Sequence, residues 1–162
     1  MTSKTKEKVV IFVWLVIVSV LSISMVFWTW NNDIFNILRI QDKITFKTIV
    51  YTFFAGVLGS AIYAFRGFYQ SIAEPENFPK AFNFKWIFWY LIRPIAGGIF
   101  GFVVYALARA ELVAFGLTSN ISEQNNLMFF GTSFLAGFGF HDFAEFLSRK
   151  VKNLFSDKKN YG

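Results

Sequence analysis

Five ionisable residues stand inside or at the edge of long apolar stretches of this chain. We call them the charged cluster: Arg66, Arg93, His141, Asp142 and Glu145. A charge at membrane depth is costly when it is alone and much less costly when it is paired. We therefore predict that Arg93 forms an ion pair with Asp142 or Glu145. The cluster would either clamp the helices together or line the mouth of a water-filled pore.

The sequence offers little basis for an enzyme or a metal site. It contains no cysteine and only one histidine, which excludes thiolate chemistry and cysteine-ligated metals. One histidine with two carboxylates could bind a divalent ion, but structural zinc usually takes more nitrogen or sulfur ligands. No nucleophile elbow, P-loop, dinucleotide-binding fingerprint or HExxH motif occurs. We predict no catalytic residue, no bound metal and no cofactor.

Small residues recur along the same apolar stretches, often four positions apart. In lipid the hydrophobic effect does not drive helices together. They associate instead through small residues, which let their backbones approach closely. The spacing predicts packing faces that either hold one chain together or join copies of it. The predicted helix-packing residues are Gly56, Gly59, Ser60, Gly97, Gly98, Gly101, Ser133 and Gly137.

The composition shows which elements carry these residues. Of the 162 residues, 55% are hydrophobic and only 16% are charged, and the mean hydropathy is +0.46. The charges come in short blocks between long apolar runs, which is typical of membrane proteins. We expect one membrane domain. The net charge of +6 indicates contact with an anionic lipid surface rather than nucleic acid, for which no recognition motif is present.

Four apolar runs predict an all-α polytopic membrane protein, because a helix of about 20 residues crosses the hydrocarbon layer. The first run is too long for a signal peptide and ends in interfacial aromatic residues, so we expect it to be retained. A short interfacial helix is predicted at residues 34–44 and a basic tail at residues 149–162. The predicted spans are residues 9–30, 49–66, 86–108 and 127–147.

The third run has two alternative registers. If it ends near Leu107, Arg93 lies about 10 Å inside the helix. If it covers residues 94–117, Arg109 and Glu111 lie inside instead. The proline at the start of this second register would stand in the first turn, where its missing N–H costs nothing. Either register places charge in the membrane.

The distribution of lysine and arginine predicts the orientation of the chain. With four spans, the N-terminal tail, the middle loop and the C-terminal tail share one side. Twelve of the sixteen basic residues lie on that side, and Arg39, Lys43, Lys47 and Arg109 lie on the other. The positive-inside rule then places both termini in the cytoplasm.

Two segments resemble a group of small uncharacterised bacterial membrane proteins with four spans. Residues 89–112, WYLIRPIAGGIFGFVVYALARAEL, have that group's aromatic–Tyr pair, Arg-Pro, spaced glycines, a tyrosine and a second arginine. Residues 136–147, AGFGFHDFAEFL, resemble its final span, which more often reads Gly-Phe-Ser-Glu where this chain has Gly-Phe-His-Asp. The resemblance implies a multi-pass protein of the bacterial inner membrane.

Three functions are compatible with these features. We expect first a homo-oligomeric pore or channel-like protein, because four helices leave little room for a lumen and conduction would need several chains. Such a pore could act as an effector on the membrane when a partner signals. The alternative is a non-conducting anchor or regulator whose basic tail docks a cytoplasmic partner. The third is a small-solute transporter, whose mid-membrane polar residues would be mainly Ser60, Thr52, Tyr63 and Tyr105.

Overall fold

The computed structural model describes residues 3–30, 43–73, 87–110 and 123–156. Its regular structure is helical throughout, and these ranges contain no strand. The predicted all-α class is therefore confirmed for the described part of the chain. The five helices are α1 (Ser3–Trp30), α2 (Lys43–Ala73), α3 (Ile87–Arg109), α4 (Glu123–Phe138) and α5 (Phe140–Ser156).

Three of the helices are long and apolar enough to cross a membrane. Their apolar parts are Lys6–Thr29 in α1, Thr45–Gln70 in α2 and Ile87–Arg109 in α3. Large apolar side chains are exposed along most of α1, along one face of α3 and towards the C-terminal end of α2. Soluble monomers rarely expose continuous apolar surface on this scale. The structure is thus compatible with an integral membrane protein.

Helix α3 covers the third apolar run, and residues 111–117 of the second register, including Glu111, lie outside the described residues. It begins at Ile87 and ends at Arg109, close to the predicted span of residues 86–108. Arg93 therefore lies nearly two turns inside the helix. Pro94 is fully buried within the helix rather than in its first turn, and it cannot donate to the carbonyl oxygen of Tyr90.

The predicted fourth span, residues 127–147, falls on two helices. The apolar part, Leu127–Phe138, ends with α4, and α5 begins after a turn at Gly139. At 1.5 Å per residue this apolar part covers about 18 Å, against about 30 Å for the hydrocarbon layer. The helix is interrupted here because glycine is a weak helix former and the residues after it are apolar on one side only. A fourth crossing stays a prediction.

Successive helices from α1 to α4 run in opposite directions, as the predicted topology requires. Contacts between neighbouring helices show this, because the residue numbers increase along one helix while those of their partners decrease along the next. The pairs are Phe12 with Phe68, Val26 with Leu58, Arg93 with Ser60, Gly101 with Thr52, Gly101 with Ser133, and Tyr105 with Phe129. The end of α4 therefore lies on the same side of the bundle as the start of α1.

Helix α2 is the centre of the bundle and packs against α1, α3 and α4. Towards its C-terminal end, Ala64 and Phe68 pack in a buried cluster with Ile11, Leu15 and Tyr90. Towards its N-terminal end, Ile49 packs against a second cluster, which contains Tyr105, Ala108 and Phe129. Between these two clusters the helices meet through glycine.

Some predictions concern parts of the chain that lie outside the described residues. One is the interfacial helix predicted at residues 34–44, of which only the last two residues are described, as the start of α2. The other is the end of the basic tail, residues 157–162. Residues 149–156 of the tail form the second half of α5.

Candidate functional site

The backbones of α2, α3 and α4 meet at four buried glycines, which we call the glycine junction: Gly56, Gly97, Gly101 and Gly137. A methyl group built on Gly56 would overlap the carbonyl oxygen of Gly97 and lie 3.0 Å from the Cα atom of Gly101. A methyl group on Gly137 would overlap the carbonyl oxygen of Gly56. These contacts exist only because the four residues have no side chain.

Gly59 and Gly98 extend the close approach on either side of the glycine junction. A methyl group on Gly59 would overlap the carbonyl oxygen of Phe134 in α4, and one on Gly98 would lie 2.7 Å from Cγ2 of Val57 in α2. Gly131 in α4 differs, because nothing lies within 4 Å of the position of its absent Cβ atom. Close packing is therefore a property of particular glycines and not of glycine in these helices generally.

Two buried serine hydroxyls link the helices beside the glycine junction. Ser60 of α2 donates a hydrogen bond of 2.8 Å to the carbonyl oxygen of Arg93 in α3. Ser133 of α4 donates one of 3.3 Å to the carbonyl oxygen of Gly101 in α3. Bonds of this kind between membrane helices contribute about 0.6 kcal/mol each on average. All eight predicted helix-packing residues thus lie at contacts within one chain.

The polar residues considered for a transporter site also make contacts inside the bundle. Thr52 donates a hydrogen bond of 2.9 Å to the carbonyl oxygen of Ile49 in its own helix. The ring of Tyr105 packs on the ring of Phe129, with 6.0 Å between centroids. Ser60 and Tyr105 thus make contacts between helices, whereas Thr52 bonds within its own helix.

The guanidinium of Arg93 is held by aromatic rings. Its Cζ atom lies 3.8 Å from the ring centroid of Tyr63 in α2, 4.3 Å from that of Trp89 in α3 and 5.8 Å from that of Phe140 in α5. Its Nε atom is buried and has no hydrogen-bond partner in the described part of the chain. Cation–π contacts contribute about 0.5–1 kcal/mol when exposed and about 2 kcal/mol or more when desolvated. We call Arg93 and these three rings the arginine cage.

The ion pair predicted between Arg93 and Asp142 or Glu145 is replaced by this arrangement. Glu145 instead pairs with Arg149 one turn further along α5, at 2.9 Å between Oε1 and Nη2. The side chains of Arg149 and Glu145 are 72% and 57% exposed, and His141 and Asp142 are exposed as well. The prediction was wrong because it assumed one continuous helix that would carry the carboxylates inward.

The first aromatic residues of α5 decide which way its charges face. The ring centroids of Phe140 and Phe143 lie 4.7 Å and 5.8 Å from that of Phe100 in α3. Residues three apart share one face of a helix. With the two phenylalanines against α3, His141 and Asp142 are turned outward.

Arg66 lies apart from the rest of the charged cluster. It is exposed and lines an open groove between α1 and α2, together with Lys8. The charged cluster is therefore divided among this groove, the arginine cage and the outer face of α5. Among the described residues, no three His, Asp or Glu side chains come together as a metal site.

Sequence reasoning missed the arginine cage. Trp89 precedes Arg93 by four residues, which places both on one helix face, so this contact was open to inference. Tyr63 and Phe140 come from other helices, and no spacing along the chain connects them with Arg93. The signal available in the sequence was therefore an aromatic residue, Trp89, and not an acidic one.

The arrangement supplies a fixed charge and helix contacts. A guanidinium is charged throughout the physiological pH range, so the arginine cage ties α2, α3 and the start of α5 together through one cation. Searches of protein families, of curated proteins and of solved structures found no match to this chain. Its function is therefore argued from its own geometry.

Proposed function

We propose that the chain is a non-conducting membrane anchor or regulator that presents α5 to a cytoplasmic protein partner. In this proposal the bundle of α1–α4 lies in the bacterial inner membrane with both termini in the cytoplasm. One observation carries the proposal: the charged residues of α5 face outward while its first aromatic residues are packed against the bundle. Charges in that position can meet a partner but do not line a path through the bundle.

Helix α5 has two distinct faces. It is strongly amphipathic, as expected of a helix that lies at an interface. Its exposed face carries His141, Asp142 and Glu145 in the first half and Arg149 and Lys152 in the second. Opposite charges across an interface raise association rates and exclude wrong partners. The basic second half suits a partner with an acidic surface.

The arginine cage supports the regulatory side of the proposal. Arg93 contacts Tyr63 and Trp89 at short distance and Phe140 at 5.8 Å, the longest of the three contacts. Phe140 is the ring that α5 contributes, so a partner that displaces α5 would remove this contact and leave the other two in place. Docking at α5 would in this way be coupled to the packing of the bundle.

A homo-oligomeric pore has less support. The small residues that could have joined copies are in contact with one another across α2, α3 and α4 of a single chain. The carboxylates that could have lined a pore mouth are on the outer face of α5. Contacts between copies would have to use other surfaces, such as the exposed apolar face of α1.

Photo-crosslinking in living cells tests the docking face. A crosslinking amino acid at Asp142 or Lys152 is expected to capture the same cytoplasmic protein. Leu135, which is 66% exposed on α4, is the matched control and is expected to capture no such protein. Deletion of residues 149–162 should abolish capture at Asp142 while the chain stays in the membrane. Capture at Leu135, or capture that survives the deletion, would contradict the proposal.

Ion flux through proteoliposomes separates the anchor from the pore. We expect the purified chain to conduct no more than protein-free liposomes do, with circular dichroism verifying that it is helical. If flux occurs, and Asp142→Ala combined with Glu145→Ala changes its rate or ion preference, the pore hypothesis replaces the anchor.

A further inference from the structure

The groove between α1 and α2 combines apolar walls with two cations. It has a volume of about 720 Å³ and is open to the surroundings of the bundle. Phe12 of α1 and Ile62 and Phe65 of α2 contribute to its walls, and Lys8 and Arg66 are its basic residues. The volume lies within the range of about 300–1,000 Å³ that small-molecule sites occupy.

The positions of the two cations along the groove follow from the way α1 meets α2. The ring of Phe12 lies 6.0 Å from that of Phe65 and 6.3 Å from that of Phe68, which sets the level at which α1 meets α2. Lys8 precedes Phe12 by about one helical turn, whereas Arg66 lies at the level of Phe12 itself. Lys8 is therefore about one turn nearer the end of the bundle. Towards the middle the groove continues past Arg66 with Ile62, and Val9, Phe68 and Ile72 line it on the side of Lys8.

We propose that this groove is a binding site for one anionic phospholipid. The acyl chain would lie against the apolar walls, and the phosphate would lie between Lys8 and Arg66. Arginine binds phosphate through paired N–H groups and lysine binds it as a point charge. Tyr69 also lines the groove and is 72% exposed, so its hydroxyl can donate a further hydrogen bond to the headgroup.

Charge complementarity selects an anionic lipid over a zwitterionic one. A zwitterionic headgroup brings its own ammonium next to its phosphate, and that ammonium would be repelled by Lys8 and Arg66. A lipid with net negative charge brings no such repulsion. The inference depends on the chain lying in a membrane but not on the docking role of α5.

Native mass spectrometry of the full chain, equilibrated with equal amounts of phosphatidylglycerol and phosphatidylcholine, tests the site. We expect one phosphatidylglycerol to be retained in preference to phosphatidylcholine. Arg66→Gln and Lys8→Gln should each weaken retention about fivefold, the ratio that corresponds to about 1 kcal/mol per basic residue at an anionic membrane surface. Lys47→Gln removes the same charge at the other end of α2 and should leave retention unchanged.

Two further arms separate a lipid site from a simple anion site. Ile62→Trp narrows the groove at a position that is 42% exposed and keeps both cations, and it should abolish lipid retention while circular dichroism stays unchanged. Glycerol phosphate, which has the anion without the acyl chains, should fail to displace the lipid. Equal retention of the two lipids, or unchanged retention in both glutamine variants, would overturn the proposal. Displacement by glycerol phosphate, or full retention by Ile62→Trp, would show that the apolar walls are not part of the site and would overturn it too.

Discussion

Replacing Gly56 with alanine tests whether the glycine junction holds the bundle together. The new methyl group would overlap the carbonyl oxygen of Gly97 and lie 3.0 Å from Cα of Gly101. Both are backbone atoms of α3, which cannot swing aside as the end of a flexible side chain can. Helices α2 and α3 would therefore have to move apart. Gly131→Ala adds the same methyl group to α4, where nothing lies within 4 Å.

The magnitude follows from two opposing contributions. Alanine is more favourable than glycine within a helix by about 1 kcal/mol, and this gain applies to both substitutions. Overpacking at Gly56 should cost about 3 kcal/mol, the upper end of the usual range, because the obstacle is backbone. We expect Gly56→Ala to lower the free energy of unfolding by about 2 kcal/mol and Gly131→Ala to raise it by about 1 kcal/mol. The difference, about 3 kcal/mol, isolates the contact because the helix-propensity gain cancels.

Unfolding in mixed micelles with increasing dodecyl sulfate measures these changes. Tryptophan fluorescence and circular dichroism follow the transition, and both variants are compared with the unchanged chain under identical conditions. If Gly56→Ala proves as stable as Gly131→Ala, the reasoning is refuted, because the added methyl group would then meet no obstacle at Gly56.

Three further substitutions and one control can be measured in the same assay. Arg93→Lys should cost about 1–2 kcal/mol because a lysine ammonium has no planar group to stack on the rings of Tyr63 and Trp89. The exposed control Arg66→Lys should cost less than about 0.5 kcal/mol. Ser60→Ala should cost about 0.6 kcal/mol by removing the hydrogen bond to the carbonyl oxygen of Arg93. Glu145→Gln should cost less than about 0.5 kcal/mol, and the effect should shrink with added salt, because its pair with Arg149 is exposed.

Each of these predictions has a clear contrary result. Equal losses for the two arginine variants would mean that the rings contribute nothing particular to Arg93. An unchanged Ser60→Ala variant would mean that the interhelical hydrogen bond adds no net stability. A loss well above 1 kcal/mol for Glu145→Gln, insensitive to salt, would indicate that the carboxylate has a buried partner and that the outward orientation of α5 is incorrect.

The amino-acid sequence was sufficient for those features that depend on local composition and period. Three of the four predicted spans lie on helices α1, α2 and α3, because a long uncharged run has few alternatives to a continuous helix in lipid. The small residues chosen for helix packing lie at interhelical contacts for a similar reason, since only small side chains allow close backbone approach.

The break at Gly139 coincides with a change of pattern in the sequence. Residues 127–138 are apolar on all sides, whereas the residues after Gly139 are apolar on one side only. That change of pattern separates a helix enclosed by lipid or protein from one that lies at an interface. Joining the two segments into one span led directly to the wrong partner for Arg93.

Only the tertiary structure decided which groups meet. The partners of Arg93 come from α2, α3 and α5, and their meeting depends on which helices are neighbours and how each is rotated about its axis. The same holds for the groove that places Lys8 beside Arg66. Hydrophobic runs determine that a helix forms and where it can lie. They carry no information about rotation, because in lipid every face of such a helix is acceptable until backbone contacts like those of the glycine junction select one.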